Sequence, residues 1–428
     1  MWPVEAEAYP LDGAERTGIH RLEGYRLAQE RMVRGRRLPS GATNNSEHVK
    51  LRLARQPGMQ IPAPDPKMSA DITRLAGYQR NSYGVAVLDL TDINNPVYAE
   101  HNGTRQQNPG SVGKIIVGLG LFQMLADTYP HDIEKRISVL RDTMITADSF
   151  IRSDHHKIPI WKPGETRIRK VKLTEGMVAN LWTYLDWMLS SSNNSAAATI
   201  QKHMILLAHF GKNYPPTPEQ ERQFFKNTKR REMTNLFAKA IRDPMTRNGL
   251  DTKQLRQGSF FTWMGKRRVQ GWSNSVGTPR ELIKYLFQME RGKLVDYFSS
   301  LELKRLLYLT DRRIRYASSP ALNSSAVYYK SGSLYKCRPE PGFVCKKYMG
   351  NVVNNLNSVI IVESPTKPKP LFYMVAVTSN VLRMNSAVVH QTLATRIHRY
   401  LEKRHGVIEP KKKSRGKRAK PVKTPSAE

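Results

Sequence analysis

Ser111-Val112-Gly113-Lys114, within QQNPGSVGKIIVGLGLFQML at 106–125, sets a hydroxyl one helical turn before an amine. Residues three apart share a helical face, so the two groups can exchange a proton, as a serine nucleophile and a lysine base must. The same stretch offers PGSVGK as a phosphate-binding turn, and fails that test. A Walker-type loop needs glycine five positions before its Gly-Lys and Ser or Thr after the lysine. Asn108 and Ile115 stand in those places. S-x-x-K also occurs at Ser333–Lys336 and Ser364–Lys367, and neither starts a helix. Ser111 follows Pro-Gly and opens a long apolar helix, whose N-terminus would bring N–H groups and a positive dipole end to an oxyanion. Lys114 lies in an otherwise apolar run, where burial lowers an amine's pKa and makes it available as a base. On this segment alone, a helix cap at Ser111 with a snorkelling Lys114 is the competing explanation.

Two later segments add polar groups. WMLSSSNNSAAATI holds Ser192-Asn193-Asn194 at the entry to a small-residue helix, and YYKSGSLY holds Lys330-Ser331-Gly332 inside a strand-like run. In this order the three segments resemble the S-x-x-K, S-x-N and K-[ST]-G signatures of the serine β-lactamase and penicillin-binding-protein superfamily. The likeness is nearest to the class A β-lactamase catalytic domain and covers roughly residues 76–402.

The resemblance implies an acyl-enzyme mechanism on a β-lactam or a D-alanyl-type amide of peptidoglycan, without metal or organic cofactor. It implies that Ser111 attacks, Lys114 takes its proton, and Ser192 relays a proton to the leaving nitrogen. Asn194 holds Lys114 and the substrate amide. Lys330 and Ser331 bind the substrate carboxylate, and the N–H groups of Ser111 and Ser333 hold the oxyanion. Gly332 lets substrate lie along the strand edge. Ser191 and Asn193 share the S-x-N spacing; the family places the motif directly before the small-residue helix, which favours Ser192 and Asn194.

The chain departs from class A at the glutamate that activates the deacylating water. Between Leu250 and Pro279 there is no glutamate, and the one carboxylate is Asp251. Glu232, in REMTNL, comes too early and reads as an exposed helix charge. SFFTWMGKRRVQGWSNS fills the place of that loop, with Trp263 and Trp272 either packing a lid or meeting an extended acidic substrate. A long-lived acyl-enzyme follows, which shifts weight toward a penicillin-binding D,D-peptidase or transpeptidase, or toward a binding protein that does not turn over. Asp154, His155 and His156 could ligate a metal, but adjacent residues rarely converge on one ion without distant partners, so the expectation is a polar loop at the rim.

The elements that must position these groups follow from hydrophobic period. YGVAVLDLTD and PVYAEHNG read as a hairpin, AVYYKSGSLY, NSVIIVES and LFYMVAVTS as strands, and most of the chain between as helices. The order predicts an α+β fold: an antiparallel sheet built from both ends of the domain, with a helical lobe at about 116–310 inserted. Residues 1–75 read as a basic extension with a helix and a Pro-rich linker, 76–404 as the catalytic domain, and 405–428 as a disordered basic tail.

Charge is the outstanding compositional feature. There are 69 Lys and Arg against 36 Asp and Glu, a formal net charge of +33. The eight cations and one glutamate of residues 411–428 account for only 7 of these charges, so the body is basic too. Contact with a polyanion is expected. No run reaches the length of a membrane span, and the first residues lack the apolar core of a signal peptide. Cys337 and Cys345 could pair across CRPEPGFVC or stay reduced. A disulfide and the family likeness would favour a periplasmic or cell-envelope location; the absence of a visible signal peptide would not.

Overall fold

The computed structural model describes residues 10–311 and 313–407. Most of the expected basic tail lies outside the described residues. Nine strands form among the described residues: β1 (Tyr83–Asp89), β2 (Val97–His101), β3 (Met144–Thr146), β4 (Lys157–Ile160), β5 (Arg169–Lys172), β6 (Val178–Asn180), β7 (Ala326–Lys336), β8 (Val353–Ser364) and β9 (Leu371–Asn380). Five of them make one antiparallel sheet in the order β2-β1-β9-β8-β7. The fold is α+β, and strands from both ends of the domain close the sheet, with Val85 opposite Val377 and Lys330 opposite Val359.

Alternation along each strand sends side chains to two cores. Val85, Val87, Val375 and Val377 face one side with Ile72 of the helix Pro66–Leu75 and with Leu393, Ile397 and Leu401 of the helix Ser386–Arg404. Ala86, Leu88, Met374 and Ala376 face the helical lobe. Because both faces are covered, β1 is buried along its whole length.

The helix Lys114–Thr128 is apolar on nearly every side and runs through the lobe, packed by the helices Leu181–Leu189, Asn194–Phe210 and Arg230–Arg247. Together with the preceding turn it forms the one stretch among the described residues, Gly110–Thr128, long and apolar enough to cross a membrane; 78% of that stretch is buried within the fold. The lobe is less uniformly helical than its sequence suggests. Two short antiparallel pairs, β3–β6 and β4–β5, interrupt it between residues 144 and 180.

The N-terminal segment is part of this core. Ile19, Leu22, Tyr25 and Leu53 belong to the same buried cluster as the lobe. Arg21, within the helix Arg21–Gln29, is buried and donates from Nε to Asp186 at 2.6 Å. The Tyr25 hydroxyl donates to Asp311. Cys337 and Cys345 are joined in a disulfide that closes the loop after β7.

Candidate active site

A 3₁₀ turn, Gly110–Gly113, carries Ser111 to the head of the central helix. Asn108 shapes the turn by accepting from Gly110 N at 2.9 Å, and Asn357 of β8 pins it by donating to the Asn108 carbonyl at 3.0 Å. Gly110 has φ 52°, a left-handed value that glycine adopts without penalty. β7 then crosses close to this turn. A Cβ at Gly332 would lie 2.2 Å from the Pro109 carbonyl and 2.5 Å from Ser111 N, so only glycine fits there.

The Lys114 ammonium sits beneath the turn, fully buried. It donates to Ser111 Oγ at 3.0 Å, to Asn194 Oδ1 at 2.6 Å and to the Ser192 carbonyl at 2.8 Å. Ser192 holds a left-handed backbone, φ 59°, and its hydroxyl accepts from Lys330 Nζ at 2.8 Å. Ser111, Ser192, Asn194, Lys330, Ser331, Gly332 and Ser333 line one cleft of about 260 Å³, with Lys114 forming its floor. The three sequence segments that supply the eight candidate residues therefore meet at one place. Of the two S-x-N registers, it is Ser192 and Asn194 that reach the cleft. Asn193 instead caps the helix Asn194–Phe210 by accepting from Ala196 N, and Ser191 is buried.

The Asp154-His155-His156 segment supports this turn. One Asp154 oxygen accepts from Asn194 N at 2.7 Å and Ser195 N at 3.1 Å, and the other from His156 Nδ1 at 2.6 Å. Burial favours the neutral acid, but the His156 side chain and these backbone donors outweigh it and hold the Asp154 carboxyl well below the usual carboxylate range. The ligand atoms of the three residues lie within 4.8 Å of one another, yet the carboxylate is already engaged in positioning Asn194. His155 and His156 line the cleft, at its rim.

Arg315 is the cation that the motifs did not reveal. It is buried, has φ 59°, and donates from its two terminal nitrogens to Ser331 Oγ at 2.8 Å and Ser333 Oγ at 2.9 Å. Its guanidinium lies 4.7 Å from the centre of the Tyr348 ring. A side chain in the left-handed region is uncommon outside glycine, and both Ser192 and Arg315, which line the cleft, hold it. Behind β8 and β9, His390 contacts Ser358 and Ser379, and burial, with Arg315 acting in the same sense, pushes it down to about 3. A loop arginine with no local pattern gives no sequence signal.

The segment 259–275 brings an aromatic ring to the site. Phe261 lies 4.7 Å from the Lys114 ammonium, and its N–H donates to Gln201. Trp272 is half-buried and donates to the Gln257 carbonyl, while Trp263 is exposed beside Arg267. Glu232 is exposed on its helix, and Asp251 is occupied with Lys253 N and Gln254.

No protein-family model and no curated protein matches the chain. Solved structures do. A β-lactamase from Sphaerobacter thermophilus superposes with a TM-score of 0.51 at 14% identity, over 81% of this chain and 99% of that one. A mutant of PBP-A, captured as its acyl-enzyme complex with penicillin G, superposes with a TM-score of 0.50 at 12% identity, over 81% of this chain and 100% of that one. The arrangement of sheet and helical lobe is therefore the fold shared by the serine β-lactamases and penicillin-binding proteins.

Proposed function

We propose that the protein is a serine acyl-transfer enzyme acting on β-lactams or D-alanyl-type amides. The observation that carries the proposal is the Lys114 ammonium, buried and held by Asn194 within 3.0 Å of the Ser111 hydroxyl. As a free amine, Lys114 takes the proton while Ser111 Oγ forms a bond to the substrate carbonyl carbon. The oxyanion rests on the N–H groups of Ser111 and Ser333. The proton passes through the Ser192 hydroxyl to the leaving nitrogen, the C–N bond breaks, and an ester at Ser111 remains. Water or an acceptor amine then cleaves that ester and restores the serine. Lys330, Ser331 and Arg315 present donors and positive charge for a substrate carboxylate.

Phe261 favours slow hydrolysis within this reading. It places a hydrocarbon face, without a proton acceptor, beside Lys114. The acyl-enzyme then persists, as in a penicillin-binding D,D-peptidase or transpeptidase. Intact-protein mass after mixing with penicillin, with drug loss followed in the same tube, tests both parts. A persistent adduct on Ser111 with little drug consumed is expected. Hydrolysed drug with unmodified protein would remove the argument from Phe261. Neither adduct nor hydrolysis would leave a binding protein that does not turn over.

A further inference from the structure

Like charges are gathered beside the cleft by two unrelated parts of the chain. In the β4–β5 ladder Lys157 stands directly opposite Lys172, and Lys170 falls on the same face. Arg34 is joined to Arg167 by a parallel bridge: Arg34 N donates to the Thr166 carbonyl at 2.8 Å, and Ile168 N donates to the Arg34 carbonyl at 2.9 Å. Arg36 follows two residues later. All six side chains are exposed. Lys170 pairs with Asp311 at 2.9 Å; among the described residues the other five make no ion pair. Directly opposed like charges destabilise a ladder, so this cluster costs the fold stability that an anion would return. The crowding reaches inward: burial pushes the Arg313 guanidinium down to about 10, and Arg36 acts in the same direction.

The lysine face adjoins the cleft along the chain. Lys157 follows His156, which lines it, and Asp311, the partner of Lys170, follows the lining residue Thr310. Trp161, which follows β4, is buried, so it gives this face no indole on which a base could stack. We infer that Lys157, Lys170 and Lys172 on the ladder face, with Arg34, Arg36 and Arg167 on the bridged segment next to it, form a docking track for a carboxylate-bearing peptidoglycan-type strand, aligning the polymer whose peptide enters the cleft. The identity of the polymer rests on the acyl-transfer reading; the track itself rests on the charges.

Lysine-acetylation footprinting of the full chain carrying Ser111→Ala, with and without soluble carboxylate-bearing peptidoglycan strands, tests the inference. Lys157 and Lys172 should be protected by the strands, and high salt should remove the protection. R34Q/R167Q/K172Q in the same background should weaken strand binding by about tenfold or more. The same three changes in the Ser111-containing chain should leave acylation by a small penicillin unchanged. Equal acetylation with and without strands would overturn the track. Equal or tighter binding and protection by duplex DNA of matched charge would overturn the partner. If penicillin leaves no adduct on Ser111 while strands still protect Lys157 and Lys172, the acyl-transfer reading fails and the track stands.

Discussion

The phenyl ring of Phe261 stands 4.7 Å from the Lys114 ammonium, on a segment that offers no glutamate. A ring so placed favours the cation electrostatically and supplies no acceptor to polarise water. Phe261→Ala should open this side. Deacylation is expected to accelerate by about tenfold, a change of roughly 1.4 kcal/mol in its barrier, while the adduct on Ser111 still forms. The return of free Ser111 after a penicillin pulse measures it.

Ser111→Ala should abolish the penicillin adduct. Lys114→Ala should slow acylation by about 10²- to 10⁴-fold, the usual loss when a positioned base is removed. Single-turnover acylation of the two variants, with circular dichroism to confirm folding, checks this pair.

Arg315 holds Ser331 and Ser333 from one guanidinium. Arg315→Gln should lower acylation efficiency by about 10- to 100-fold for a substrate with a carboxylate, chiefly through weaker binding. An analogue in which that carboxylate is esterified should lose much less. Comparison of the two substrates separates a lost anchor from a general loosening of β7.

Acid should destabilise the fold through its buried histidines. Burial lowers His203 well below its ordinary value and pushes His390 down to about 3 and His398 to about 4. Unfolded histidines titrate near 6.5, so below that pH the unfolded chain binds more protons than the folded one. Stability is therefore complete above about pH 6.5 and falls as the pH drops toward 4, by about 1.4 kcal/mol per pH unit for each histidine. Urea midpoints between pH 7.5 and 4.5 read this slope, and His390→Gln should flatten it.

Arg21 and Asp186 form a buried pair that ties the N-terminal segment to the helix leading into Ser192. Arg21→Met leaves Asp186 without its partner and should cost about 3–5 kcal/mol, whereas R21M/D186L should recover most of that loss. Denaturant midpoints of the two variants and the parent test the coupling.

The parts of the site that could be read from sequence were those written as local patterns on regular elements. Ser111 and Lys114 share a helical turn, Ser192 and Asn194 precede a small-residue helix, and Lys330-Ser331-Gly332 alternates along a strand. Arg315 and Phe261 lie in irregular segments, where no period connects them to Ser331 or Lys114. Asp154 could be placed at the rim, but its two bonds to the Asn194 turn depend on a contact across 40 residues. Arg21 was indistinguishable from the other cations of a helix with a charged face, because its buried partner lies 165 residues away. The α+β layout was legible from strand alternation; the β3–β6 and β4–β5 pairs were not, since their strands are only three or four residues long.

The pairing of β1 with β9 carries a consequence for the order of synthesis. Val85 emerges from the ribosome nearly three hundred residues before Val377, its partner in the ladder. Ser111 is likewise made long before Lys330 and the strand edge that completes its cleft. Contacts of such separation form late, because the intervening chain must first be closed into a loop. During translation Ser111 exists without a pocket, and it can acquire one only when the last strands of the sheet are in place. Addition of β7 to the sheet is thus the step that completes the cleft around Ser111.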